Sequence, residues 1–169
     1  MQKTPWIERQ FNFDLPITMF PNVLERLRGA PARITDRIQD IRADSLSRSP
    51  DGSWSILQHI GHLSQVETIW LQRLDDFDNG VEVLTPADMS NRATEEAEYN
   101  SADSVDLLTA FRDVRGQFVQ RLEAMTDAEA ARSARHPRLD QPMRVIDLMV
   151  FAAEHDDHHL TRITELLRT

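Results

Sequence analysis

Two short runs hold five of the six histidines in this 169-residue chain. One is Glu154-His155-Asp156-Asp157-His158-His159, the other Gln58-His59-Ile60-Gly61-His62-Leu63. Both lie in segments with helical apolar spacing, and on a helix residues three or four apart share a face. Neutral imidazoles stacked that way form a bidentate seat for a divalent ion. Histidines scattered over a surface would not cluster so, and the pattern predicts a metal site built from three of them. Spacing alone leaves the register open. His155 and His159 differ by about 40° around the axis and His155 and His158 by about 60° the other way, so either pair can chelate. His59 and His62, at i and i+3, are likewise both candidates to face inward.

The elements that must carry these residues are helices. Val23, Leu24, Leu27, Ile34, Ile38 and Ile41 mark a first helix over about 17–41, broken near Arg28-Gly29-Ala30-Pro31 because proline disrupts a helix interior. After the turn cluster Ser49-Pro50-Asp51-Gly52, Ser55 and Gln58 have capping-box spacing and open a second helix near Trp54 that runs to about Phe77. Residues 78–102 read as a long connection with a short helical turn. A third helix spans about 104–125 and a last one about 143–167, with His136-Pro137-Arg138-Leu139 in the connection between them. No strand-like alternation competes, so the expected fold is all-α: one domain over 1–169, a four-helix bundle with a long connection between helices two and three.

Helix lengths then test the metal idea. His62 lies roughly 12 Å into its helix and His159 roughly 13 Å before the end of the last one, at 1.5 Å per residue. Antiparallel packing makes the two level; parallel packing separates them by roughly 12 Å, too far to share an ion. The site therefore requires the long connection to join two parallel helices, with the last helix returning against both.

Composition narrows the function classes. Lys and Arg total 19 against 28 Asp and Glu, a formal charge of −9, which argues against a nucleic-acid partner. With no cysteine there is no disulfide, thiolate site or cysteine nucleophile. No apolar stretch is long enough to cross a bilayer, and the first residues lack the apolar core of a signal peptide, so a cytoplasmic protein without membrane association is expected. Glu67, Glu154, Asp156 and Asp157 are candidates to hold an imidazole from behind, although a solvated charged face explains most of them. Trp54 and Trp70 read as core or interface. His136 could reach the pocket mouth or stabilise its turn.

At Trp54-Ser55-Ile56-Leu57-Gln58-His59-Ile60-Gly61-His62-Leu63 and His155-Asp156-Asp157-His158-His159 the chain resembles the DinB/YfiT-like superfamily of metal-dependent enzymes. That resemblance implies a four-helix bundle with three histidine ligands. One ligand lies eight residues after the Trp of a Trp-Ser helix start, here His62; the other two form His-x-x-x-His, here His155 and His159. In many members Arg-Gly-Gln follows the last histidine, where this chain has Leu160-Thr161-Arg162. The resemblance also implies a homodimer, to which Trp70 and apolar residues of the first and third helices could contribute, and activities that include thiol-dependent transfer.

Three imidazoles leave open positions on an ion, the pattern of a catalytic site. Such an ion, zinc or nickel foremost with iron also accepting imidazole, lowers the pKa of bound water to about 7 or activates a thiolate. Any thiol must arrive as a low-molecular-weight cosubstrate, since the chain has none. The expected function is thus a metal-dependent hydrolase or thiol-dependent S-transferase acting on a small-molecule substrate. His59, His158 and Asp157 are the candidates for proton transfer. The rival readings are a non-catalytic bundle whose metal pins helix two to helix four, and a metal-free interaction module.

Overall fold

The computed structural model describes residues 3–168; Met1, Gln2 and Thr169, at the ends of the expected domain and leader-free start, lie outside them. In chain order the elements are α1 (Phe20–Arg28), α2 (Ala30–Ile38), α3 (Ala43–Leu46), α4 (Ile56–Asp78), α5 (Arg92–Glu96), α6 (Ser104–Glu123), α7 (Asp127–Ala130), β1 (Ser133–His136), β2 (Gln141–Arg144) and α8 (Val145–Leu166). The fold is a four-helix bundle whose long arms are α1 with α2, α4, α6 and α8. No helix among the described residues is long and apolar enough to cross a membrane.

Cross-helix contacts give the directions. Arg115 meets Glu67, and Arg121 meets Asp75 and Asp78, so α4 and α6 run parallel. His59 pairs with His159 while Trp70 packs on Phe151, so α8 runs antiparallel to α4. Arg26 with Glu154, and Arg37 with Thr164, set α1 and α2 parallel to α8. The long connection joins the two parallel helices, as a shared histidine site requires.

Local chemistry sets the boundaries. Ser55 Oγ accepts from Gln58 N at 3.1 Å and Gln58 Oε1 accepts from Ser55 N at 3.0 Å, closing the capping box of α4. Asp103 caps α6 by accepting from Val105 N at 2.7 Å. Pro31 breaks the first arm because it has no N–H for the carbonyl of Leu27, four residues back. That carbonyl is taken instead by Arg115 Nη1 at 2.9 Å.

The connection 126–142 departs from expectation, since it holds α7 and the start of an antiparallel hairpin pairing Ser133 with Arg144 and His136 with Gln141. Strands of four residues, one containing Pro142, are too short to show a period-two pattern. The hairpin is held further by Leu84 N donating to Arg135 O (3.0 Å) and Arg135 N donating to Glu82 O (2.9 Å).

Two apolar clusters fill the bundle. One holds Leu27, Leu74, Phe118, Leu122 and Met149, the other Ile34, Ile60, Phe111, Leu160 and Ile163. Between them lies a polar layer of Glu67, Arg115, Asp156, His62, His155 and His159, all buried. Trp70 is 3% exposed, with its ring packed against Phe151 and His155 within the subunit.

Candidate metal centre

His62 on α4 and His155 and His159 on α8 come together, each offering a ligand nitrogen within 4.8 Å of the others. His155 Nε2 and His159 Nε2 are 3.2 Å apart. Two nitrogens at 2.0–2.1 Å from one tetrahedral ion stand about 3.3 Å apart, so this pair already has that span. Nδ1 of His62 is tied to Thr94 Oγ1 at 2.9 Å, which leaves Nε2 for the cluster. Thr94 donates in turn to Gln65 Oε1 at 2.7 Å, so its hydroxyl oxygen accepts from His62. His159 Nδ1 is 2.8 Å from His59 Nδ1. His155 Nδ1 is buried with no hydrogen-bond partner.

Burial keeps these rings neutral. It pushes His62 down to about 4, helped by the charge of His158. Burial, then Arg162, His62 and His158, push His59 down to about 3. His155 and His159 fall well below the usual imidazole range, chiefly through burial and then through neighbouring histidines. A neutral ring keeps the lone pair that ligation needs.

The cluster forms one wall of a cavity of about 560 Å³, a size suited to a small molecule. Trp6, Trp70, Val66, Ile69 and Phe151 supply apolar walls, and the exposed Ile7 and Met89 sit on its rim. Trp54 packs on His62 with ring centroids 4.9 Å apart and on His59 at 5.6 Å, which makes it part of the site beyond its expected core role. Trp6, on the N-terminal segment that crosses α8, lies 5.0 Å from His155 and 5.9 Å from His158.

The other candidates are placed as follows. His59 is buried behind His159 and lines the cavity, as does the half-buried His158. Asp157 is not brought to the cavity: Arg33 donates to it at 2.6 Å and Arg26 also pairs with it, on the side facing α1 and α2. None of the four acids proposed to back an imidazole does so. Glu154 pairs with Arg26 at 2.6 Å, while Glu67 and Asp156 both hold Arg115. The groups behind the imidazoles are a threonine and another histidine. Thr94 was invisible in the sequence because it lies in the long connection, outside any helical period. His136 does both things expected of it: its Nδ1 accepts from Arg138 N (3.2 Å) and Leu139 N (3.1 Å), and its ring lines the cavity.

A bundle with a parallel pair α4–α6 and a histidine cluster between α4 and α8 defines the class. Residues 16–163 match the DinB superfamily, and the chain belongs to that family. Among solved structures it is similar to YfiT from Bacillus subtilis, described as a probable metal-dependent hydrolase with an unusual four-helix bundle topology. The two share 20% identity with a TM-score of 0.81, over 95% of this chain and 92% of that one. At that identity the likeness carries the fold. Among curated proteins none matches this chain.

Proposed function

We propose that the protein is a metal-dependent enzyme acting on a small molecule, with His62, His155 and His159 as the ligands of a divalent ion. The observation that carries this reading is the set of three buried, neutral imidazoles whose nitrogens converge on the wall of a ligand-sized cavity. Zinc, nickel and iron all suit imidazole donors. When bound, such an ion supplies Lewis acidity, which serves either hydrolysis or activation of a thiol cosubstrate.

The chain's own residues have distinct tasks. Thr94 fixes the ring of His62 and leaves its Nε2 free. With the lone pair of His159 on Nε2, the proton sits on Nδ1 and is donated to His59 Nδ1. His59 then carries its own proton on Nε2. Trp54 and Trp6 cover the imidazoles and exclude water from their edges. His158, half-buried beside His159 at a centroid distance of 5.1 Å, is the side chain best placed to exchange a proton with a ligand in the cavity. Hydrolysis is favoured by the description of YfiT; thiol-dependent transfer is compatible with a chain that has no cysteine of its own. A purely structural metal pinning α4 to α8 would not need the adjoining cavity.

Elemental analysis of the purified protein tests the reading. The expected result is close to one divalent ion per chain in wild type, its loss in His155→Ala and His159→Ala, and its retention in His158→Ala. Equal loss in all three variants would show that the ligand register is wrong. Wild-type protein that takes up no ion under titration would remove the metal altogether.

A further inference from the structure

The wall of the cavity away from the histidine cluster carries two arginines, Arg73 and Arg138, that make no ion pair among the described residues; the lining carboxylate Asp88 is engaged by Ser90, whose N donates at 2.8 Å and Oγ at 2.9 Å. Arg73 on α4 is 1% exposed and lines the cavity, yet it has no carboxylate within ion-pair distance among the described residues. Its Nε donates to Thr85 O at 3.1 Å and its Nη1 lies 3.2 Å from His136 Nε2. The nearby carboxylate of Asp76 is engaged by Thr85, whose N donates at 2.7 Å and whose Oγ1 donates at 3.1 Å. Arg138, in the hairpin loop, donates from Nη1 to Ile7 O at 3.1 Å, while its Nη2 is buried with no partner. Among the described residues only two buried side-chain nitrogens or oxygens lack a partner, and both belong to side chains lining this cavity.

His136 adds a third donor. Its Nδ1 faces two backbone N–H groups, and the neutral tautomer that accepts both carries its proton on Nε2. That proton faces the N–H of Arg73, donor against donor. An acceptor shared between them resolves the conflict. Burial, then Arg73 and Arg138, hold His136 down to about 3, so it stays a neutral donor at physiological pH. Burial lowers Arg73 to about 10, still a cation there.

Aromatic rings join this cationic end to the imidazoles. The guanidinium of Arg73 lies 5.5 Å over Trp70, whose ring is 5.9 Å from His155. That of Arg138 lies 5.7 Å over Phe151, and Trp6 bridges Phe151 to His155 at 5.0 Å on each side. We infer that Arg73, Arg138 and His136 form a carboxylate-binding subsite, and that the substrate is an organic acid whose apolar body lies along Trp6, Trp70 and Phe151 with its reacting group at the histidines. A carboxylate suits the site better than a phosphoryl group, because two guanidinium groups and one imidazole offer a short fork of donors with no glycine loop or long-helix N-terminus behind it.

The assignment of the reacting end rests on the function proposed above, whereas the subsite can be tested apart from it. The tryptophans lining the cavity report binding through their emission. The probes are 4-phenylbutanoate and its neutral amide, titrated into wild type, into chelator-stripped wild type and into Arg138→Met. The acid should bind wild type about tenfold or more tightly than the amide, as expected for a charge-assisted pair. That preference should persist after chelation and vanish in Arg138→Met, whose metal content should match wild type. Equal binding of acid and amide, binding of neither, or a preference kept in Arg138→Met would overturn the subsite. A preference lost on chelation would place the carboxylate on the metal and overturn it equally. Wild type that holds no metal yet still prefers the acid would sink the metal reading and leave the subsite standing.

Discussion

Five residues along α4 and one along α8 separate two buried polar clusters of opposite character. His62 and His155 face the cavity; Glu67 and Asp156 face Arg115. In the second cluster Arg115 Nε donates to Glu67 Oε2 at 2.9 Å, and its Nη atoms reach Asp156 at 2.6 and 2.9 Å and the carbonyl of Leu27 at 2.9 Å. Every group there has a partner and none reaches the cavity. The histidine cluster is neutral, leaves His155 Nδ1 unpartnered and opens on a pocket. A closed, saturated network fixes the helices in register. A cluster with unspent donors and lone pairs is where a ligand can gain something by binding.

Removing the cation of the closed cluster should therefore do the most damage. Arg115→Met leaves two buried carboxylates facing each other, with the freed Leu27 carbonyl beside them. Burial already pushes both carboxyls above their usual range against the pull of Arg115. We expect a loss of about 3–5 kcal/mol in chemical denaturation, the cost of breaking a buried charge network by deleting one partner. A variant as stable as wild type would refute the structural role of the triad.

pH separates the two clusters next. An unfolded histidine titrates near 6.5, whereas the folded His62 and His59 titrate near 4 and 3. Above about 6.5 neither state takes a proton. Below it the unfolded chain takes protons that the folded one refuses, so stability present at neutral pH is lost as the pH falls through 6.5 toward 4 and then 3. The slope should be up to about 1.4 kcal/mol per pH unit for each such histidine in chelator-stripped protein. The carboxyls of the triad shift the other way, and so do not contribute to a loss in this window. Denaturation midpoints measured against pH should show a shallower slope in His62→Leu; an unchanged slope would assign the loss elsewhere.

A smaller effect should follow from Thr94→Val, which keeps the side-chain shape and removes the oxygen that orients His62. Metal affinity should fall about 10- to 100-fold with little change in fold stability. Gly61 bears on the same segment. A Cβ there would sit 2.6 Å from atoms of the Tyr99 ring, so Gly61→Ala should push the segment carrying Tyr99 and Thr94 off α4 and weaken metal binding as well. Competition with a chelating dye measures both; wild-type affinity in Thr94→Val would show that the threonine only fills space.

What the sequence revealed tracks the range of each signal. Capping at Ser55 and Gln58, the break at Pro31 and the helical period of α4, α6 and α8 are local, and all three read correctly. The level match of His62 with His155 and His159 follows from helix rise once the directions are known; the shared site required those directions, and the long 78–102 connection allowed them. Thr94, Trp6, Arg73 and Arg138 lie where only tertiary packing brings them to the cavity, and no spacing links them. Asp156 looked like a partner for an imidazole. Its side chain points about 100° from that of His155, toward Arg115, a residue unremarkable within the amphipathic pattern of α6.

The finest contrast lies between neighbours on α8. Asp156 is fully buried on Arg115, while Asp157, one residue on, is half-buried against Arg26 and Arg33. Those arginines hold the Asp157 carboxyl below its usual range in spite of the burial that opposes them. The side chains involved are about one-third exposed, and water at that depth screens the pairs so that each is worth little. Asp157→Asn should thus cost no more than about 1 kcal/mol, leave the metal content at the wild-type level and leave the preference for a carboxylate ligand intact. Asp156→Asn, the same chemical change one position away, should destabilise the fold severalfold more, because it unbalances a network with no access to water. Equal effects at the two positions would mean that burial does not distinguish them. A loss of turnover in Asp157→Asn without loss of metal would instead return Asp157 to the reaction.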